Sequence, residues 1–221
     1  MKNLGKNQKK IWEAENIFYL KSDTSRISKL IYQYELYKLI QDVPGAVLEF
    51  GVFKGASFIR FLTFRSILEN NYSRKFYGFD LFGKFPRQKQ NNHDLKFIKI
   101  FEKEAGLAIS HLELEKNLIK KNFTNFDLIQ GDVRKTLPKF IEKNPNLKIA
   151  LLHLDLDTYK ITQFVLKKLF NNLSSRGIVV VDDYSSNYGA TKAIDEFLLK
   201  NKKYQIKKLP FYDKPSYIVK I

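Results

Sequence analysis

Two hundred and twenty-one residues, 44% hydrophobic and 14% aromatic, suit one domain with a substantial core and exclude a disordered or coiled-coil chain. The absence of cysteine excludes a disulfide framework, a zinc ribbon, an iron–sulfur cluster and a thiol nucleophile. Thirty-nine basic against 23 acidic residues leave a net charge of +16, but Lys far outnumbers Arg, so a solvated basic surface is preferred to a nucleic-acid footprint.

Residues 1 to about 25 are polar and show no clear period, which reads as an arm or lid. Ile11 to Leu20 carries two Glu and an Asn where a secretory signal has an apolar segment. No apolar run approaches the roughly 20 residues of a membrane span. The expectation is a soluble cytoplasmic protein, with peripheral membrane contact through Lys left open. From Ser25, residues Ile27, Leu30, Ile31, Tyr34 and Tyr37 follow helical spacing, and Pro44-Gly45 ends that helix.

The element types then alternate. Ala46 to Val52 reads as a strand, Ala56 to Leu68 as a helix and Lys75 to Asp80 as a strand. Gly83 to Lys103, with Pro86, Asn91, Asn92 and His93, is polar and irregular, a long connection of the kind that forms lids. Helix Ala105 to Lys121, strand Phe126 to Gln130, helix Val133 to Glu142, the strongly apolar strand Lys148 to Leu156 and helix Thr158 to Asn171 follow. Ser174 to Gly177 turns the chain into strand Ile178 to Val181, and Ala190 to Lys200 is an amphipathic helix. Tyr204 to Leu209 and Ser216 to Lys220 can pair as an antiparallel hairpin at a sheet edge. The pattern predicts a doubly wound α/β domain with a mostly parallel, seven-stranded sheet and helices on both faces.

Ligands of such sheets sit beyond the carboxyl ends of the strands, and the residues there are acidic: Glu49, Asp80, Asp132, Asp155, Asp157, Asp182 and Asp183. In L-E-F-G-V-F-K-G-A-S, Gly51 and Gly55 flank a strand-to-helix turn where missing β-carbons allow close approach. The spacing is not the G-x-G-x-x-G of dinucleotide binders, and Glu49 beside it suits a cationic amino group. Asp80, in G-F-D-L-F, is placed to accept two ribose hydroxyls or to serve as a turn acid. Asp132 either contacts adenine or caps the next helix, and capping is favoured. In H-L-D-L-D-T-Y, strand alternation points Asp155 and Asp157 to one side, which is costly without a cation or proton between them. V-V-V-D-D-Y adds Asp182 and Asp183 on a neighbouring strand, about 4.8 Å away. Oxygen ligands without Cys or clustered His favour Mg²⁺, Mn²⁺ or Ca²⁺ over zinc, and at least three of the acids are expected to converge on a metal. His153 shares a strand face with Asp155 and either bonds within the site or packs as a satisfied core residue. His93 in the long loop and His111 in a helix read as solvated or packing side chains.

Taken in order, E-F-G-V-F-K-G-A-S, G-F-D-L-F-G-K-F-P, G-D-V-R-K-T-L-P, H-L-D-L-D-T-Y and V-V-D-D-Y resemble the macrocin O-methyltransferase (TylF-like) family of class I, metal-dependent sugar methyltransferases, over roughly Ala46 to Leu198. The resemblance implies a Rossmann-like methyltransferase fold, S-adenosylmethionine and Mg²⁺ (or Mn²⁺) as cofactors, and a small-molecule sugar or glycan acceptor. That acceptor would be nucleotide-linked, a surface polysaccharide or a glycosylated metabolite. Residues 1–44 would form an arm and helix for substrate or oligomer contacts, and 45–221 the catalytic domain, with homo-oligomerisation left open. It also implies that Glu49, Gly51, Gly55 and Ser57 line the methionine side of the cofactor, that Asp80 binds ribose and that Asp132 lies near adenine. Asp155, Asp182 and Asp183 would be the metal ligands and Asp157 the general base. Asp155 and His153 would join Asp157 as catalytic residues, although His153 stands where relatives often carry Arg, so a substrate contact there does not carry over; D-L-F-G-K-F-P puts Lys84 where they often have an acid, so the acceptor loop differs. The rival readings are a metal-dependent glycosyl transferase with a D-x-D site, a noncatalytic nucleic-acid-binding domain, and the same cofactor with a catechol-like phenol as acceptor.

Overall fold

A computed structural model describes residues 6–84 and 92–221. The first five residues, and the Phe85, Pro86 and Asn91 portion of the loop singled out above, lie outside the described residues. Seven strands form one sheet: β1 (Ala46–Phe50), β2 (Phe76–Asp80), β3 (Phe126–Gln130), β4 (Ile149–Leu154), β5 (Leu173–Val181), β6 (Ile206–Lys207) and β7 (Ser216–Val219). Their order is β3-β2-β1-β4-β5-β7-β6; β1 to β5 pair in parallel, and β7 runs antiparallel to both its neighbours. The expected parallel sheet with a C-terminal antiparallel edge is what forms. The order reverses between β1 and β4, where the crossovers diverge to opposite faces and leave a crevice at the strand ends.

Strand alternation divides the core. Leu48, Phe50, Leu152, Leu154, Val179 and Val181 point to the face covered by α6 (Val133–Lys143), α7 (Tyr159–Leu169) and α8 (Tyr188–Lys200). Val47, Leu151, Ile178 and Val180 point to the face covered by α2 (Thr24–Lys38), α3 (Ala56–Leu68) and α5 (His111–Lys120). Every residue of β4 is buried, which accounts for its unbroken apolar run. Among the described residues no helix is long and apolar enough to cross a membrane.

Four stretches depart from the sequence reading. The aperiodic arm contains a helix, α1 (Lys6–Lys21), none of whose residues is buried. Its Lys, Glu, Gln and Ala favour helix by propensity alone, and with no core to face it has no buried stripe to read. The connection expected over Gly83 to Lys103 contains α4 (Asn92–Ala105), anchored by buried Asp94 and Ile98. The helix expected over Ala105 to Lys121 is interrupted, because Gly106 takes a φ of +74° and α5 begins only after Ser110. Ser110 Oγ accepts from the Glu113 amide at 3.3 Å; Ser110-x-x-Glu113 was the readable start signal. β5 also begins earlier than expected, at Leu173, running through the predicted turn with Arg176 at a φ of +64°.

The turn after β1 is the tightest point of the sheet. Gly51 has a φ of +91°, and a β-carbon there would lie 1.8 Å from the Asp155 carbonyl oxygen of the neighbouring strand end. Gly51→Ala is therefore expected to destabilise the fold by at least about 3 kcal/mol, since clash and strain act together. Urea unfolding checks this; a loss under about 1 kcal/mol would contradict the close approach.

Candidate functional site

The carboxyl ends of β1, β2, β4 and β5 open into a cavity of about 820 Å³. One wall is the segment after β1. Phe53 holds a φ of +52° and donates its amide to Asp80 Oδ2 at 2.8 Å, while Asp80 Oδ1 accepts from the Phe82 amide at 2.7 Å. Asp80 thus clamps two turns at the cavity edge. Burial raises its pKa and the amide donors oppose the shift. Gly51, Ser57, Asp80 and Asp132 line the cavity, whereas Glu49 and Gly55 do not. Glu49 is fully buried behind Ser57, whose Oγ donates to Glu49 Oε1 at 2.6 Å. A β-carbon on Gly55 would meet Leu114 of α5, so that glycine serves helix packing. Asp132 caps α6 by accepting from the Arg134 amide at 2.9 Å, the assignment favoured from the sequence, and its carboxylate also holds the Arg134 side chain.

The opposite wall is acidic. The Asp155 amide donates to Phe50 O at 2.9 Å and the Asp182 amide to Leu154 O at 3.0 Å, so the ladder is carried one residue past β4 and β5 and the acids arrive side by side. Asp155 and Asp157 do converge, but not by strand alternation, because β4 ends at Leu154. Asp157 holds a φ of +58°, a left-handed conformation rare outside glycine, and this turns its carboxylate back into the cluster. Ligand atoms of His153, Asp155 and Asp182 lie within 4.8 Å of one another, as do those of Asp155, Asp157 and Asp183. Asp155 belongs to both groups, while Asp182 and Asp183 of the sequence-predicted trio fall in different ones.

Charge is balanced unevenly across the cluster. Lys29 Nζ reaches Asp182 Oδ2 at 2.5 Å, and His153 Nε2 lies 3.4 Å from Asp182 Oδ1. Burial raises the Asp182 pKa, but His153 and Lys29 overcome it and hold the carboxyl well below the usual range. His153, fully buried, also faces Glu49, with Nδ1 at 3.7 Å from Oε2. Burial disfavours its charge, yet the two carboxylates raise its pKa to about 10. Among the described residues no cation is ion-paired with Asp155 or Asp157, and the His153 and Lys29 charges only partly offset the rise at Asp155. Burial and the neighbouring carboxylates push both well above the ordinary value. Hard oxygen donors crowded together and short of positive charge fit a divalent cation such as Mg²⁺ or Mn²⁺.

Sequence reasoning missed Lys29, Gln33 and Arg60, all on the cavity wall. The available signal was a polar pair, Lys29 and Gln33, interleaved with the buried stripe of Tyr32, Leu36 and Tyr37 on α2. His93 packs against Tyr188 and His111 against Phe82 and Leu128 O; neither lines the cavity.

The family described as Macrocin-O-methyltransferase (TylF) matches residues 25–209. The chain is 30% identical over 166 residues to a demethyldecarbamoylnovobiocin O-methyltransferase of Streptomyces niveus, covering 72% of this chain and 60% of that one. It is 29% identical over 167 residues, with the same coverage, to an 8-demethyl-8-(2,3-dimethoxy-α-L-rhamnosyl)-tetracenomycin-C 4′-O-methyltransferase of Streptomyces olivaceus. The chain thus spans 60% of the length of these two relatives. Among solved structures, a calicheamicin methyltransferase superposes with a TM-score of 0.72 at 27% identity, over 95% of this chain and 85% of that one. The apo form of that enzyme, a TDP-rhamnose 3′-O-methyltransferase, gives a TM-score of 0.68 at 27% identity, over 94% and 85%.

The buried histidine sets a pH dependence. Its raised pKa contributes stability that is complete below the unfolded value near 6.5 and is lost as pH rises toward 10. Metal-free protein is expected to lose a few kcal/mol across that window, and His153→Gln is expected to lose much less. Denaturant titrations at pH 6.5 and 9.5 check this; parallel slopes for the two proteins would contradict it.

Proposed function

The chain belongs to the macrocin O-methyltransferase (TylF) family, and from that membership we propose that it transfers a methyl group from S-adenosylmethionine to a sugar hydroxyl, with a divalent cation held among the strand-end acids. The single observation that carries this reading is the convergence of Asp155, Asp157, Asp182 and Asp183 across one cavity from the turn after β1. The relatives support a sugar as acceptor, since their names place the transferred methyl on glycosylated antibiotics or on TDP-rhamnose.

S-adenosylmethionine supplies an electrophilic methyl on a sulfonium. A bound divalent cation supplies Lewis acidity that makes an alcohol easier to deprotonate. The remaining work falls to the chain. The backbone from Gly51 to Ser57, with Asp80 and Asp132, would form the wall against which the methyl donor binds. Asp155, with Asp182 and Asp183, would hold the cation, and Lys29 and His153 keep Asp182 ionised. Asp157 accepts the proton of the attacking hydroxyl. A buried carboxyl whose pKa is raised is a stronger base than an exposed one and is better matched to an alcohol near neutral pH. Phe50, Phe79, Phe97 and Phe101 on the cavity wall keep water from the reacting atoms.

Product mass spectrometry after incubation with S-adenosylmethionine, Mg²⁺ and a deoxyhexose nucleotide or glycoside tests the reading. Asp155→Asn is expected to lower metal-dependent turnover at least about 100-fold while S-adenosylmethionine affinity stays within about threefold. Asp157→Asn should reduce turnover with the metal still bound. Undiminished turnover in Asp155→Asn would contradict the site, and loss of metal in Asp157→Asn would make Asp157 a ligand.

A further inference from the structure

On the cavity wall formed by α2 and α3, Lys29 and Ser57 already have roles, and Arg26, Gln33 and Arg60 have none. Arg26, Lys29 and Gln33 recur at i, i+3 and i+7 on one face of α2, and Ser57 and Arg60 lie three apart on α3, which packs against it. All five line the cavity. Lys29 is engaged by Asp182, but among the described residues neither Arg26 nor Arg60 is ion-paired. Among the described residues Arg60 Nη1 donates to the neutral Gln33 Oε1, at 3.2 Å. Burial, and after it the nearby Arg26 charge, lowers the Arg60 pKa against a smaller opposing pull from Asp182, so the two guanidiniums repel one another across the wall. Gln33 is fully buried, and its Nε2 has no hydrogen-bond partner. A buried donor left unpaired beside two guanidiniums that have no ion-pair partner among the described residues suits an anion with several acceptor oxygens.

We infer that Arg26, Gln33 and Arg60 form an anion subsite that takes the phosphates of a diphosphate-linked sugar acceptor. The inference rests on the methyltransferase reading and narrows its acceptor class. A diphosphate presents at least two negative charges to two guanidiniums, and its oxygens reach the Gln33 amide as a further donor. The carboxylate of the methyl donor offers the same kind of oxygens but one charge, so the test separates the two sources.

The probes are inorganic pyrophosphate and S-adenosylmethionine, each titrated calorimetrically into the full chain in metal-free buffer. Pyrophosphate is expected to bind the wild type with an affinity that falls as salt rises, and the Arg26→Gln/Arg60→Gln double variant is expected to lose at least about tenfold. S-adenosylmethionine affinity should change less than about threefold. Arg26→Gln alone, at an exposed helix position, should retain the wild-type melting temperature and still weaken pyrophosphate. Absent or unaltered pyrophosphate binding would overturn the subsite. A tenfold loss of S-adenosylmethionine affinity would also overturn it, assigning the arginines to the donor's carboxylate while leaving the methyltransferase reading intact. Failure of the wild type to bind S-adenosylmethionine at all would remove both.

Discussion

Four carboxylates gathered at the ends of two adjacent parallel strands, in a largely buried setting, are the constraint on which the rest of this structure depends. Such a cluster is unfavourable unless protons or cations accompany it. The fold supplies compensation from two sides. His153 stands between Glu49 and Asp182 within the sheet, and Lys29 reaches Asp182 from α2. These partners serve Asp182, and Asp155 and Asp157 are left with their pKa values raised. The site is thus part satisfied and part poised, an imbalance that a binding centre tolerates and a purely structural ion pair would not require.

The same imbalance explains why the surrounding backbone is unusual. Gly51 lets the end of β1 pass against the Asp155 carbonyl, and Phe53 and Asp157 on the cavity wall, with Phe82 and Ser185 beyond it, adopt left-handed conformations. Strain of this kind persists only where neighbouring structure holds it, and here Asp80 holds both Phe53 and Phe82 through their amides. The helix preceding the sheet is equally committed. α2 buries Tyr32, Leu36 and Tyr37 in the core and on the same helix delivers Lys29 and Gln33 to the cavity, so core packing positions site residues.

Much of this was legible in the residues because parallel sheets collect ligands at their carboxyl ends, and acids placed there announce themselves by type. The glycine turn, the Asp132 cap and the gathering of acids after β4 and β5 follow from that rule, and alternation of strands and helices gave the mostly parallel sheet with its antiparallel edge, though not its strand order. What escaped depends on contacts distant in sequence or on local geometry without a pattern. Lys29 and Asp182 are 153 residues apart, and nothing in either segment names the other. The turn of Asp157 is set by a φ that no side-chain periodicity encodes. Glu49 looked like a cavity residue by its position before Gly51, but strand alternation sends it behind Ser57 to His153. α1 was invisible because a helix with no buried face leaves no hydrophobic period.

The central claim is that the acid cluster is short of positive charge and that a hard divalent cation supplies it. Thermal unfolding of metal-free protein, with Mn²⁺ added to about a hundredfold above its dissociation constant, measures this most directly. The account predicts a rise in melting temperature of about 5–10 °C, with no comparable effect from an equal ionic strength of KCl. A melting temperature that stays put or falls on adding Mn²⁺ would contradict it.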